Sequence, residues 1–241
     1  MTTPKKDNDD YILSYLILRQ LIGILGLCLP FGLLLGNKLL GSTVWLQPSI
    51  SHFYYGYMHI AFVGVLCVLG ALFITYKGKS KIENKISNCS GVFAFLVALF
   101  PTKYCGFIGN NYITTSVWKD WFNYIHFGSA TLLFICFAFF CLKIFQESDE
   151  GIAEAKFDYK KKRRNKIYKT CGWGIIASIA MIGGATLYEN IYNPTTFTTY
   201  ATFIFETTAL LFFGNSWLLK GSLNWKNRNN SILSKLVKPV R

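Results

Sequence analysis

Ser49-Ile50-Ser51-His52-Phe53-Tyr54-Tyr55-Gly56-Tyr57-Met58-His59 opens a stretch that carries no Asp, Glu, Lys or Arg as far as Tyr76. A transmembrane helix needs about 20 mostly apolar residues, and the run from about Phe53 to Tyr76 meets that length. Reading outward, five more runs of this kind appear, at about 20–36, 86–101, 121–145, 167–188 and 198–219. Together they use most of the 241 residues and leave no room for a separate soluble domain. The chain is 52% hydrophobic and only 15% charged, with its charges in short clusters, which is not the composition of a soluble domain. The expected fold is therefore all-α: one integral membrane domain over residues 1–241, built as a bundle of six transmembrane helices.

Charge sets the expected orientation. With the N-terminus inside, the inner segments hold 22 of the 25 Lys and Arg, and the outer ones keep Lys38, Lys103 and Lys119. Cytoplasmic loops carry an excess of Lys and Arg, so both termini are expected in the cytoplasm. Met1 to Asp10 is polar and lacks a cleavable signal pattern, so the first span is expected to act as its own signal. The net charge of +13 then reflects this bias and attraction to anionic lipids at the basic face, not nucleic-acid binding. The other expected partner is the lipid bilayer, with a homo-oligomer as an option. The stripe Gly174, Ala177, Ala180, Gly183 and Gly184 suits close helix packing. Arg19 is expected to snorkel to the inner surface.

On this topology the remaining acids, Asp120, Glu189 and Glu206, and all three histidines, His52, His59 and His126, fall at the outer side. The second focus is thus Thr202-Phe203-Ile204-Phe205-Glu206-Thr207-Thr208, a carboxylate inside an apolar run. Ionisable groups at membrane depth are expensive and mark functional sites. His52 and His59 are seven residues apart and share a face if the helix starts before Ser51, with Tyr55 between them. His59 then lies about 9 Å below Phe53, and Glu206 about 12 Å below Thr198, at 1.5 Å per residue. On the fourth helix, Asp120, Asn123 and His126 follow at successive i+3 steps. The candidate pocket is lined by His52, Tyr55, His59, Asp120, Asn123, His126 and Glu206. Two functions fit: transport or sensing of a small molecule or ion through an outward-facing polar pocket, or a metal-dependent intramembrane hydrolase acting on a lipid. No cofactor is expected on the first reading. On the second, zinc would take His59, His126 and Glu206, without an HxxxH or HExxH motif.

Several stretches also look familiar. Leu21-Ile22-Gly23-Ile24-Leu25-Gly26 leading to Leu29-Pro30, Ser49-Ile50-Ser51 before a tyrosine pair, Ala98-Leu99-Phe100-Pro101, and Glu206 through Phe213-Gly214-Asn215-Ser216-Trp217 resemble a family of uncharacterised bacterial six-span membrane proteins. That family is a domain of unknown function, loosely similar to the DRAM-like proteins. The resemblance covers most of the chain and implies six spans and a place in the bacterial cytoplasmic (inner) membrane; it brings no activity and no catalytic residue. A weaker similarity is to intramembrane hydrolases of the ceramidase and adiponectin-receptor type, which have seven spans and a different His spacing.

Overall fold

The computed structural model describes residues 5–108, 111–115, 117–147, 159–192 and 195–222, with only the backbone for 5–14, 105–108, 111–114, Lys160 and Thr196. The Asn193-Pro194 turn, the charged segment 148–158 and the basic tail after Ser222 lie outside the described residues. Within them the chain forms six α-helices: α1 (Lys5–Leu39), α2 (His59–Thr75), α3 (Lys81–Leu99), α4 (Asp120–Leu142), α5 (Tyr159–Ile191) and α6 (Thr196–Gly221). Each packs against its sequence neighbours and α6 returns to α1, so the helices close into a ring. A hairpin, β1 (Tyr104–Ile108) antiparallel to β2 (Asn111–Thr115), interrupts the α3–α4 connection.

Three helical stretches are long and apolar enough to cross a membrane: Tyr15–Leu39, Asp120–Gln146 and Lys161–Ile191. His59–Thr75 is apolar but shorter. The other two helices are diluted by polar residues: α3 opens with Lys81, Glu83, Asn84 and Lys85, and α6 carries six threonines besides Glu206.

Local chemistry sets the helix ends. Ser80 caps α3 by accepting the Glu83 amide, and a reciprocal Thr195–Thr198 capping box starts α6. Pro101 disfavours helical geometry at Phe100, which is extended (φ −108°, ψ 101°), so α3 stops at Leu99. The freed Phe100 carbonyl becomes important below. Two glycine pairs bring backbones together. A Cβ on Gly23 would sit 2.9 Å from the Gly214 carbonyl, and one on Gly91 would sit 2.7 Å from the Gly70 carbonyl. These contacts join α1 to α6 and α2 to α3 in the manner of small-residue membrane interfaces. Between them, Phe73, Phe137, Phe140, Phe213 and Trp217 form a buried aromatic cluster.

Hydrogen bonds define the two ends of the ring. At one end Arg19 donates to the Tyr76 hydroxyl at 2.7 and 2.9 Å and faces Glu83 at 3.4 Å, while Tyr76 donates to Glu83 at 2.5 Å. Gln20 reaches the Gly221 carbonyl there, and Lys220 the Phe145 carbonyl. Arg19 therefore does not snorkel: it is 4% exposed and paired between α1 and the α2–α3 turn. The buried acid it faces, about 25 Å of helix away from the histidines by the rise per residue, makes this a structural clasp.

One expectation fails at the other end. The second helix begins at His59, not at Phe53; Ile50–Tyr55 instead form a short 3-10 segment, followed by extended backbone at Gly56. His52, Tyr55 and His59 thus do not share one α-helical face. The reason is long-range: the Ile50 amide donates to Glu206 at 2.6 Å, and the Phe203 amide donates to the Pro48 carbonyl at 3.0 Å. Both bonds pin the segment to α6 and keep it from continuing α2.

Candidate functional site

The 3-10 segment places its side chains against α4 and the end of α3. The Ser51 hydroxyl lies 2.8 Å from His126 Nε2, and His126 Nδ1 lies 2.6 Å from the Phe100 carbonyl. A carbonyl only accepts, so Nδ1 carries the proton, and in the neutral ring Nε2 accepts from Ser51. The result is a directed chain, Ser51 O–H to His126 to Phe100 C=O. Both side chains are buried, with Ser51 8% and His126 2% exposed.

Next to it is a second serine–histidine pair. Ser49 Oγ sits 2.5 Å from His52 Nδ1, and His52 Nε2 is buried without a partner. Burial, and after it the nearby His126, pushes the His52 imidazole down to about 4, so that ring is neutral at pH 7.

A small cavity of about 50 Å³, partly open to the surroundings, starts at this point. Ser51, Ile50 and Glu206 line one end. The rest of the lining is apolar: Leu29 from α1; Phe62, Leu66, Leu69 and Phe73 from α2; Ala94 and Val97 from α3; Ala130, Leu133, Phe134 and Phe137 from α4; Leu210 and Phe213 from α6. Phe62 to Phe73 spans about 16 Å of helix, so the cavity runs along the bundle rather than across it.

Among the seven residues the sequence nominates, Glu206 lines this cavity and His126 reaches it through Ser51. His52 stands beside them. His59 Nδ1 donates to the Tyr54 carbonyl at 2.6 Å, and its ring lies 4.2 Å from that of Tyr54. Tyr55 donates to the Thr102 carbonyl at 2.5 Å. Asn123 accepts from the Thr102 hydroxyl and the Lys103 amide, each at 3.0 Å, and Asp120 pairs with Lys103 at 3.4 Å in an exposed position. These last three residues fasten the loop after α3. The shared end is real, but the polar groups are spread over several local tasks.

Sequence reasoning passes over Ser51 as a functional group, because nothing local marks a serine whose partner is 75 residues away. Among the described residues, no three His, Cys, Asp or Glu side chains group as a metal site. Searched against known proteins, the chain matches no family model, no curated protein and no solved structure.

Proposed function

We propose that this chain is a six-span integral membrane protein, with both ends in the cytoplasm, whose helices part along a small apolar cavity to admit the chain of one lipid-class amphiphile. The polar group of that molecule sits at Ser51 and Glu206. The observation that supports this is the cavity's asymmetry: polar at one end, hydrocarbon along the rest. Such sites bind through apolar walls and fix orientation with a few polar groups. Passage of an ion or polar solute, which the sequence favours, calls for polar groups along the path. Beyond Ser51 and Glu206, the lining has none.

Two measurements test the proposal. A photoreactive fatty acid added to the purified chain in nanodiscs is expected to label the facing walls of α2 and α4, with unlabelled lipid competing. Ala130→Trp, which fills the cavity, is expected to reduce that label about tenfold. Labelling confined to the exposed α5 residues Trp173 and Met181, unchanged by Ala130→Trp, would remove the cavity as a binding site. For topology, an epitope inserted after Thr43 is expected to be reached only from the non-cytoplasmic side, and one after Lys79 only from the cytoplasm; the reverse pattern would invert the orientation.

A further inference from the structure

We propose that Ser51 and His126 form a nucleophile–base pair that cleaves a carboxylic ester of the amphiphile held in the cavity. This rests on the chain-binding reading above and adds a reaction to it. Three observations converge. Ser51 Oγ is within hydrogen-bond reach of His126 Nε2 at 2.8 Å. The opposite ring nitrogen is bound to the Phe100 carbonyl at 2.6 Å, which fixes the tautomer that leaves Nε2 free to take a proton. Ser51 itself lines the cavity, at the end where an ester group would sit if the acyl chain filled the apolar part. Nucleophile, base and an orienting third group are the elements of covalent acyl transfer. Here a backbone carbonyl stands where many such sites place a carboxylate. It is available because Pro101 ends α3 and releases Phe100 from the helical ladder.

The step balances without an oxidant or a metal. Ser51 Oγ attacks the ester carbonyl carbon as its proton passes to His126 Nε2. The bond to the alkoxy oxygen then breaks, and that oxygen takes the proton from Nε2, leaving as an alcohol. The acyl group remains on Oγ. Water attacks the acyl carbonyl, giving its proton to Nε2; the acid departs and the proton returns to Oγ. The Phe100 carbonyl holds Nδ1–H throughout and favours the transient imidazolium.

A fluorophosphonate probe, which reacts with activated serines, tests this on the full chain in nanodiscs, with the modified residue located by peptide mass spectrometry. The expected result is an adduct on Ser51 that is absent in Ser51→Ala. Positioned general bases contribute about 10²–10⁴-fold, so His126→Gln is expected to slow labelling at least a hundredfold. If His126→Gln loses its fold, wild-type labelling in heavy water replaces it: slower labelling is expected because the serine proton moves to the base in the attacking step, and an equal rate overturns the pair. No Ser51 adduct in the wild type, with the fatty acid still labelling the cavity, overturns the esterase and leaves the binding site. Loss of both labels overturns both readings. An adduct that forms equally fast in His126→Gln shows that the histidine does not act as base.

Discussion

Arg19→Ala is expected to destabilise the protein by about 3–5 kcal/mol, the usual loss when one member of a buried ion pair is removed. Arg19 and Glu83 side chains are each 5% exposed, so neither charge is relieved by water. Tyr76 bridges them, accepting from Arg19 and donating to Glu83. Glu83 also accepts the Lys79 amide at 2.8 Å, so the same carboxylate shapes the turn that starts α3. Removing the guanidinium leaves the buried Glu83 carboxylate without its counter-charge and α1 joined to the α2–α3 corner through Tyr15 on Tyr76. Tyr76→Phe removes only the bridge and is expected to cost about 1–3 kcal/mol. The double variant Arg19→Met with Glu83→Gln is expected to recover most of the loss, because it leaves no charge buried unpaired and the Gln oxygen still accepts the Lys79 amide. Thermal unfolding of all four chains in one detergent at pH 7 checks the series. An Arg19→Ala midpoint within about 1 kcal/mol of wild type would show the pair to be solvated.

The comparison between sequence and structure turns on range. Apolar runs were readable because hydropathy is a local property, and each overlaps a helix, three of which are long and apolar enough to cross a membrane. Helix ends were less readable. Hydropathy sees only the greasy part of a helix, so α1 and α5 extend into charged residues that the runs left out. The β-hairpin was missed although Gly109-Asn110 stands between two five-residue strands, a turn signal of the kind that closes hairpins. Alternation of spans placed His52, His126 and Glu206 at one end, and hydrogen bonds join that end together. What alternation cannot supply is partners. The break before α2, the Arg19 clasp and the Ser51–His126 bond each join residues 57 or more positions apart. No window along the chain contains both members of any of them.

Glu206 decides between a carboxylate needed for its hydrogen bond and one needed for its charge. In a 3-10 turn the first amides have no carbonyl partner within the turn, and Glu206 satisfies the one at Ile50. Gln keeps an acceptor oxygen at the same reach, so Glu206→Gln is expected to change stability by less than about 1 kcal/mol. Leu removes the acceptor and leaves the Ile50 amide buried and unpaired, with an expected loss of about 1–3 kcal/mol. Tied to α6 only through the Phe203–Pro48 bond, residues 48–55 would hold Ser51 against His126 less firmly. Glu206→Leu is therefore also expected to slow fluorophosphonate labelling of Ser51, while Glu206→Gln leaves it near the wild-type rate. Hydrogen exchange at the Ile50 amide gives an independent readout, with protection kept in Gln and lost in Leu. If Gln proves as damaging as Leu on all three measurements, negative charge is what the site requires. A lipid chain supplies no reason for that requirement, whereas a cation or proton moving through the ring would, and the transport reading would then displace the binding one.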